Sequence, residues 1–184
     1  MALIICIIVA VVLVAVFLNT YEGKELTSLG SSGSNAPGMS FTQKGGVNNP
    51  GFLIHTITKW KGKTDSEGCK FENFSSMPYG VRAWYINLFG KVKDGRIKTI
   101  TQMIDVLTPA GSENSEAARN NYKASVTQAH SWLELGMRVF NFEANPDWVA
   151  LSQAHKNEAI QLGLAEAVKY CYGSNNLPQL IPAQ

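Results

Sequence analysis

The first 18 residues of the chain contain no charged side chain and no hydroxyl group. They read MALIICIIVAVVLVAVFL, and all 16 Lys and Arg residues and all 14 Asp and Glu residues follow them. An α-helix rises ~1.5 Å per residue, so this segment spans about 27 Å, close to the thickness of the hydrocarbon core of a bilayer. Because lipid offers the backbone no hydrogen-bond partners, such a segment must be helical in a membrane. We therefore predict a transmembrane anchor over residues 1–18, which includes Leu3, Ile8, Val12 and Phe17.

Two other interpretations of this segment fit the sequence less well. A cleaved signal peptide normally has a positive charge before its apolar run and small residues at the cleavage site. Here no Lys or Arg precedes the run, and residues 15–17 are Ala, Val and Phe. A core helix of a globular domain normally has a polar face, which this segment lacks. The orientation in the membrane stays open, because Lys24 lies between Glu22 and Glu25 and the positive-inside rule favours neither side.

The residues after the anchor divide into three further parts. Residues 19–47 are rich in Gly and Ser, a composition typical of a flexible linker. Residues 48–172 have the apolar content of a small globular domain, and residues 173–184 contain two Pro and no charge, which predicts an extended tail, either free or docked on a neighbouring protein. Proteins that bind nucleic acid usually carry a strongly basic stripe. The net charge of this chain is only +2, so we expect no nucleic-acid partner.

Apolar periodicity in residues 48–172 predicts a mainly α domain with a small β-hairpin. The segments GFLIHTITKW and CKFENF are β-branched or aromatic, alternate in polarity and flank a polar stretch, a pattern typical of a hairpin. The later apolar residues recur at helical spacing between Ser, Thr or Asn caps and Pro or Gly stops. The predicted helices run from about Pro78 to Gly95, from Thr99 to Leu107, from Ser112 or Ser115 to Leu135, and from Asn145 to Gly173.

The sequence contains few residues that suggest metal or cofactor chemistry. Cys6 lies in the predicted anchor, which leaves Cys69 and Cys171 either to form one disulfide or to stay as free thiols. The three His residues are scattered, and neither a Cys-x-x-Cys pair, a His-Glu-x-x-His helix nor a phosphate-binding glycine loop is present. We therefore predict no metal and no cofactor.

Carboxylates are the remaining groups that can carry chemistry. Glycoside cleavage is the reaction class that needs carboxylates alone, one of them protonated. Glu113 and Glu116 also have a simpler interpretation, because acidic residues commonly occupy the first turn of a helix and interact with its free amides. The candidate carboxylates in the domain are Glu72, Asp105, Glu113, Glu116, Glu143 and Asp147.

Several short motifs follow one another between residues 48 and 126. None of them is specific alone, and their order and spacing carry the information. They are Asn48-Asn49-Pro50-Gly51; Trp60-Lys61-Gly62; Phe71-x-x-Phe74-Ser75-Ser76-Met77-Pro78-Tyr79-Gly80-Val81-Arg82-Ala83; Thr99-Ile100-Thr101-Gln102-Met103-Ile104; and Pro109 followed by Ser112-Glu113-Asn114-Ser115-Glu116 and Tyr122.

This set resembles the phage and prophage virion-associated structural protein family that has an Asn-Asn-Pro-Gly opening and is often described as lysozyme-like or as lytic transglycosylase. The resemblance implies a lysozyme-like fold that faces peptidoglycan. It makes Glu113 the candidate catalytic acid, and the candidate substrate-binding residues are Trp60, Tyr79, Arg82 and Tyr122. Arg82 is also expected to hold a carboxylate such as Glu113. The implied partners are a lipid bilayer, other virion, capsid or vertex proteins, and peptidoglycan.

Three departures from the family pattern affect the expected activity. The family's Asn-Ile-Arg after Pro-Gly is here Phe52-Leu53-Ile54, and its Trp-Ala-Pro-Pro run is Leu107-Thr108-Pro109-Ala110. A lysozyme-like enzyme also normally has its catalytic Glu on a helix before the Asn-Pro segment, where this chain has the Gly- and Ser-rich linker. We therefore expect a non-catalytic component held in the internal membrane of a virion, or in the host envelope during assembly. An active peptidoglycan-cleaving enzyme and a single-pass bacterial envelope binding protein are the alternatives.

Overall fold

The computed structural model describes residues 45–65, 68–109 and 116–184. Within these residues the chain is mainly helical, which confirms the predicted fold class at that level. The predicted anchor over residues 1–18 lies outside the described residues, and no helix in the described part is long and apolar enough to cross a membrane. The helices are α1 (Met77–Lys93), α2 (Ile100–Leu107), α3 (Glu116–Val126), α4 (Trp132–Phe140), α5 (Pro146–Val149) and α6 (Gln153–Tyr172).

The first two helices begin and end where the sequence predicts. Pro78 occupies the first turn of α1, where the missing N–H costs no helical hydrogen bond, and Gly95 follows the helix with a φ of 77°. Thr99 caps α2, since its side-chain oxygen accepts a hydrogen bond from the Gln102 amide at 3.1 Å.

The later part of the chain contains more helix breaks than predicted. The third predicted helix is two helices, α3 and α4, because Ser131 caps α4 by accepting from the Glu134 amide at 3.1 Å while the Glu134 carboxylate accepts from the His130 amide at 3.0 Å. The fourth is also two, α5 and α6, because Ser152 accepts from the His155 amide at 3.3 Å and starts a new helix. In both cases the apolar periodicity continues across a break that a Ser cap produces.

The predicted β-hairpin is wrong as a pair of strands. Its two segments form one isolated antiparallel bridge, Ile54 with Phe71, and a second bridge joins Lys63 of the connecting stretch to Phe74. We call residues 45–65 and 68–76 the loop layer, and it covers the N-terminal part of α1. Gly80 of α1 allows this close approach, because a Cβ atom there would lie 1.9 Å from the Asn48 carbonyl oxygen.

Side chains replace a strand ladder in the loop layer. The side-chain nitrogen of Asn49 donates to the backbone carbonyl oxygens of Leu53 and Glu72, both at 3.0 Å. The Thr56 amide donates to the Glu72 carboxylate at 2.9 Å, and Phe52 has a φ of 51° that interrupts an extended segment. These contacts satisfy backbone groups that would otherwise pair between strands, so the segments stay irregular.

The core lies between α1 and α6, which form the most extensive helix contact. Gly163 of α6 lets the two backbones approach, because a Cβ atom there would lie 2.8 Å from the Arg82 amide nitrogen. Trp84, Trp132 and Trp148 are buried in this core, so they serve packing. The aromatic side chains with at most 3% exposure are Phe74, Trp84, Tyr85, Phe89, Trp132, Phe140 and Trp148.

The C-terminal tail packs on its own domain. The Pro182 carbonyl accepts from the Ile100 amide at 2.8 Å, and the Pro178 carbonyl accepts from the Trp132 indole at 2.8 Å. Ile181 is buried between these contacts. The tail therefore supplies a hydrogen bond that the first turn of α2 lacks, and it belongs to the domain rather than forming a free arm.

Candidate functional site

An open groove of about 600 Å³ lies between α3 and α4. Its walls come from one face of each helix and from the turn after α4. The lining includes polar groups of three chemical kinds, namely amides, a carboxylate and a guanidinium, around an aromatic floor. The principal lining residues are Asn121, Tyr122, Glu134, Arg138, Asn141 and Phe142.

The floor of the groove is a stacked aromatic pair. The rings of Tyr122 and Phe142 lie 3.9 Å apart at an interplanar angle of 21°. Tyr122 is buried, and this burial raises the pKa of its hydroxyl group, which therefore stays protonated at neutral pH. Phe142 is half-buried, and its exposed part gives the groove an apolar surface of the kind that the face of a sugar ring contacts.

An ion pair fixes the charged wall of the groove. The Arg138 guanidinium donates to Glu134 Oε1 from Nη2 at 2.7 Å and from Nε at 3.2 Å, and its Nη1 donates to the Ser125 carbonyl at 3.1 Å. The hydrogen bond from Arg138, followed by that from the His130 amide, holds the pKa of the Glu134 carboxyl below its usual value. Glu134 is therefore ionised at neutral pH and has no proton to give to a leaving group.

Two amides complete the groove. Asn141 is held in place, because its side-chain nitrogen donates to the Met137 carbonyl at 2.8 Å and its oxygen accepts from the Trp148 indole at 3.2 Å. Asn121 is exposed on α3 and presents both a donor and acceptors to the groove. The groove thus combines an apolar floor with fixed and exposed polar groups, an arrangement suited to a neutral, hydroxyl-rich ligand.

A second cluster, which includes two of the predicted residues, lies where α1 meets the loop layer and α6. We call Lys61, Tyr79, Arg82, Glu166 and Tyr170 the Arg82 cluster. Glu166 Oε2 lies 3.1 Å from Lys61 Nζ and 3.5 Å from Arg82 Nε. Lys61 Nζ lies 5.8 Å from the centre of the Tyr79 ring, and Arg82 Cζ lies 5.2 Å from that of Tyr170.

The structure brings together only some of the predicted site residues. Tyr79 and Arg82 lie one turn apart in the Arg82 cluster, and half-buried Trp60 directly precedes Lys61. Tyr122 lines the separate groove.

Glu113, the predicted acid, lies outside the described residues. The carboxylate beside Arg82 is Glu166, which was not among the candidates.

Reasoning from the sequence missed several residues that complete the groove and the Arg82 cluster. In each case the signal is a pair of residues four apart on a predicted helix, Glu134 with Arg138 and Glu166 with Tyr170. Phe142 lies in a turn after α4, where no periodicity points to it.

Glu72 is the most buried carboxylate among the described candidates. Burial by itself raises the pKa of this carboxyl, but hydrogen bonds from Lys63 and from the amide and hydroxyl of Thr56 outweigh it and lower the pKa overall. The Lys63 ammonium lies 2.9 Å from Glu72 Oε2, and His55 Nδ1 lies 3.7 Å away. Glu72 therefore holds the loop layer together as an ionised group and is unsuited to act as a general acid.

Two further candidates, Asp105 and Asp147, have structural contacts. Asp105 lies 3.1 Å from the Arg119 guanidinium and also pairs with Lys123, and Asp147 accepts from the Asn48 amide at 2.8 Å. Cys69 and Cys171 are free thiols. Within residues 45–65, 68–109 and 116–184, no three His, Cys, Asp or Glu side chains come together as ligands for a metal ion.

Comparisons with family models, curated proteins and solved structures gave no significant match for this chain. The geometry of the groove and of the Arg82 cluster, together with the motif resemblance, is therefore the basis for a functional proposal.

Proposed function

We propose that the protein is a membrane-anchored structural component of a phage virion whose lysozyme-like domain binds peptidoglycan without cleaving it. The groove between α3 and α4 is the observation that carries this proposal. Its Tyr122 and Phe142 floor and its amides suit a sugar chain, whereas Glu134, the carboxylate among its described lining residues, is held ionised by Arg138. Glycoside cleavage needs a carboxylic acid that is protonated at the working pH. The groove is therefore suited to binding rather than to turnover.

The setting in a virion is proposed from the motif resemblance over residues 48–126 and from the charge-free segment over residues 1–18. An anchor and a flexible linker would let the domain reach a sugar polymer at a distance from the bilayer without fixing its orientation. A virion with an internal membrane provides such a bilayer, and its capsid or vertex proteins are the proposed neighbours. The host envelope is the corresponding membrane during assembly.

Peptidoglycan binding is testable with the full chain in a mild nonionic detergent and purified murein sacculi. We expect the protein to sediment with the sacculi. Asn121→Ala removes a groove amide and should weaken binding about threefold to tenfold, as expected for the loss of one hydrogen bond. Asn120→Ala is the matched control, because Asn120 is exposed on the same helix and does not line the groove. Equal binding by both variants and the unaltered protein would exclude the groove as the site.

Cleavage is tested in the same mixtures by measuring soluble muropeptides across the acidic to neutral pH range. We expect none to be released while binding persists. Release that disappears in Glu113→Gln would replace the proposal with an active peptidoglycan-cleaving enzyme and would identify Glu113 as its acid.

The anchor is tested by fractionation. The full chain should require detergent to leave the membrane fraction, and deletion of residues 1–18 should make it soluble without detergent. A full chain that is soluble without detergent would disprove the anchor and leave the groove proposal unaffected.

A further inference from the structure

Arg82 contains a buried hydrogen-bond donor that nothing in the structure satisfies. Its side chain is 9% exposed, and its Nε atom has no hydrogen-bond acceptor. Glu166 Oε2 lies 3.5 Å from this nitrogen, within ion-pair distance but not in hydrogen-bond geometry. A guanidinium presents its N–H groups in a planar fork that matches the two oxygens of a carboxylate. The unsatisfied Nε–H therefore marks a place where an oxyanion would gain a hydrogen bond.

The Arg82 Nε atom is itself buried, so a ligand can reach it only when neighbouring side chains move aside. The Lys61 side chain is 51% exposed and reaches Glu166 from the loop layer, so its ammonium can turn toward a ligand at little cost. Tyr170 is 68% exposed and its ring lies over the guanidinium. The exposed part of this ring offers a flat surface for the uncharged portion of a ligand whose anionic group contacts Arg82.

The charges of the Arg82 cluster select the kind of anion. Lys61 and Arg82 carry two positive charges and Glu166 carries one negative charge, which leaves one positive charge for a ligand. A carboxylate neutralises it, whereas a phosphate dianion would place excess negative charge beside Glu166. We propose that the Arg82 cluster binds a carboxylate group of a ligand, with the Arg82 guanidinium as its main hydrogen-bond donor and Lys61 as the second cation.

Substitution of Glu166 tests the proposal, because it should raise the affinity for the ligand and not lower it. As the charge that competes with the ligand, Glu166 weakens binding, so Glu166→Gln should strengthen it about fivefold. If Arg82 and Glu166 are only a structural pair, the unaltered protein binds no carboxylate ligand that the substitution could strengthen. Glu116→Gln is the matched control, because Glu116 is exposed at the start of α3 and its loss changes the net charge equally.

The experiment uses the full chain in a nonionic detergent and follows the Arg82 Nε–H resonance by nuclear magnetic resonance. The probes are N-acetylmuramic acid, N-acetylglucosamine, which lacks the lactyl carboxylate, acetate and inorganic phosphate. The muramic acid arm rests on the proposed function, and the acetate arm does not. We expect N-acetylmuramic acid and acetate to shift the resonance in a saturable way, N-acetylglucosamine to leave it unchanged, and phosphate to bind more weakly.

Each result decides the proposal. The proposal is supported if both carboxylates shift the resonance and bind more tightly to Glu166→Gln but not to Glu116→Gln. A shift with acetate alone supports a site for a free carboxylate ligand. No shift with either carboxylate, or tighter binding of phosphate, overturns it. Arg82→Gln should abolish binding, and Tyr170→Ala should weaken it about threefold while the fold persists. Failure here leaves the Asn121 result in the groove unaffected, so the two proposals are judged separately.

Discussion

The loop layer and the helices that it covers are stabilised by opposite kinds of contact. In the loop layer, the side chains of Asn49, Glu72 and Asn73 are almost completely buried and satisfy backbone groups. In the helical body, residues 77–109 and 116–172, the buried side chains are mainly apolar and aromatic. Apolar packing tolerates small changes in shape, whereas each buried polar group must keep its particular partner. The comparison indicates that the loop layer is the more sensitive to a single wrong contact.

Polar contacts also join the two regions. Asn145, the cap of α5, donates from its side chain to the Gly46 carbonyl and accepts from the Asp147 amide at 2.9 Å. Asp147 in turn accepts from the Asn48 amide at 2.8 Å. The start of the loop layer is therefore held by the N-terminus of a helix that follows it by about a hundred residues, so its placement depends on a contact far away in the sequence.

The largest loss of stability is expected at Gly80 of α1, where the loop layer contacts the helical body. In Gly80→Ala the new Cβ atom would lie 1.9 Å from the Asn48 carbonyl oxygen, which is backbone and cannot rotate away. We expect the free energy of unfolding in urea to fall by about 3 kcal/mol, near the upper range for overpacking. Gly90→Ala is the control on the same helix, because a Cβ atom there meets nothing within 4 Å.

Gly90→Ala should stabilise the protein by up to about 1 kcal/mol, since Ala is the better helix former. Equal responses of Gly80→Ala and Gly90→Ala would contradict the contact between the loop layer and α1.

A smaller effect is expected within the loop layer, at Asn49. Asn49→Ala removes the donor to the Leu53 and Glu72 carbonyls and the acceptor for the Leu53 amide. Leaving these buried groups without partners should cost about 2 kcal/mol. Hydrogen exchange should show lost protection at the Leu53 and Thr56 amides and unchanged protection in α6. Asn120→Ala is the control, and uniform loss throughout the chain would show that the two regions unfold as one unit.

The sequence predicts the helical body much better than the loop layer. Periodicity and caps identify α1 and α2 because Pro78 and Thr99 act locally, through their own turns. The break before α4 is missed because Leu133 and Leu135 continue the apolar pattern across it, although Ser131 is a local signal for a cap. The polar pattern around Asn49 has no such local signal, since its partners are chosen by the folded chain.

The candidate sites show the same limit. Tyr79, Arg82 and Tyr122 have side chains of the kinds that bind sugars and anions, which the sequence reveals. Which of them share a site depends on how α1, α3 and α6 pack, so Glu166 and Phe142 become visible only in the structure. A residue type can be predicted from its chemistry, whereas its partner across 80 residues of chain depends on tertiary packing.

The smallest effect concerns the dependence of stability on pH, through Glu72. Because the pKa of this carboxyl is lowered from 4.5 in the folded protein, its contribution to stability is complete above that value and is lost as the pH falls through the folded pKa. Glu72→Gln removes the contribution, so it should be less stable than its parent at neutral pH, and the difference should shrink as the solution is acidified.

Urea unfolding at a series of pH values measures this difference. His55 is another ionisable group in contact with the carboxylate, so the comparison is made in a His55→Ala background. Glu116→Gln, which changes an exposed carboxylate in the helical body, is the control measured at the same pH values. If Glu72→Gln behaves in the same way, Lys63 and Thr56 do not stabilise the ionised form of Glu72, and the loop layer is held by its uncharged contacts alone.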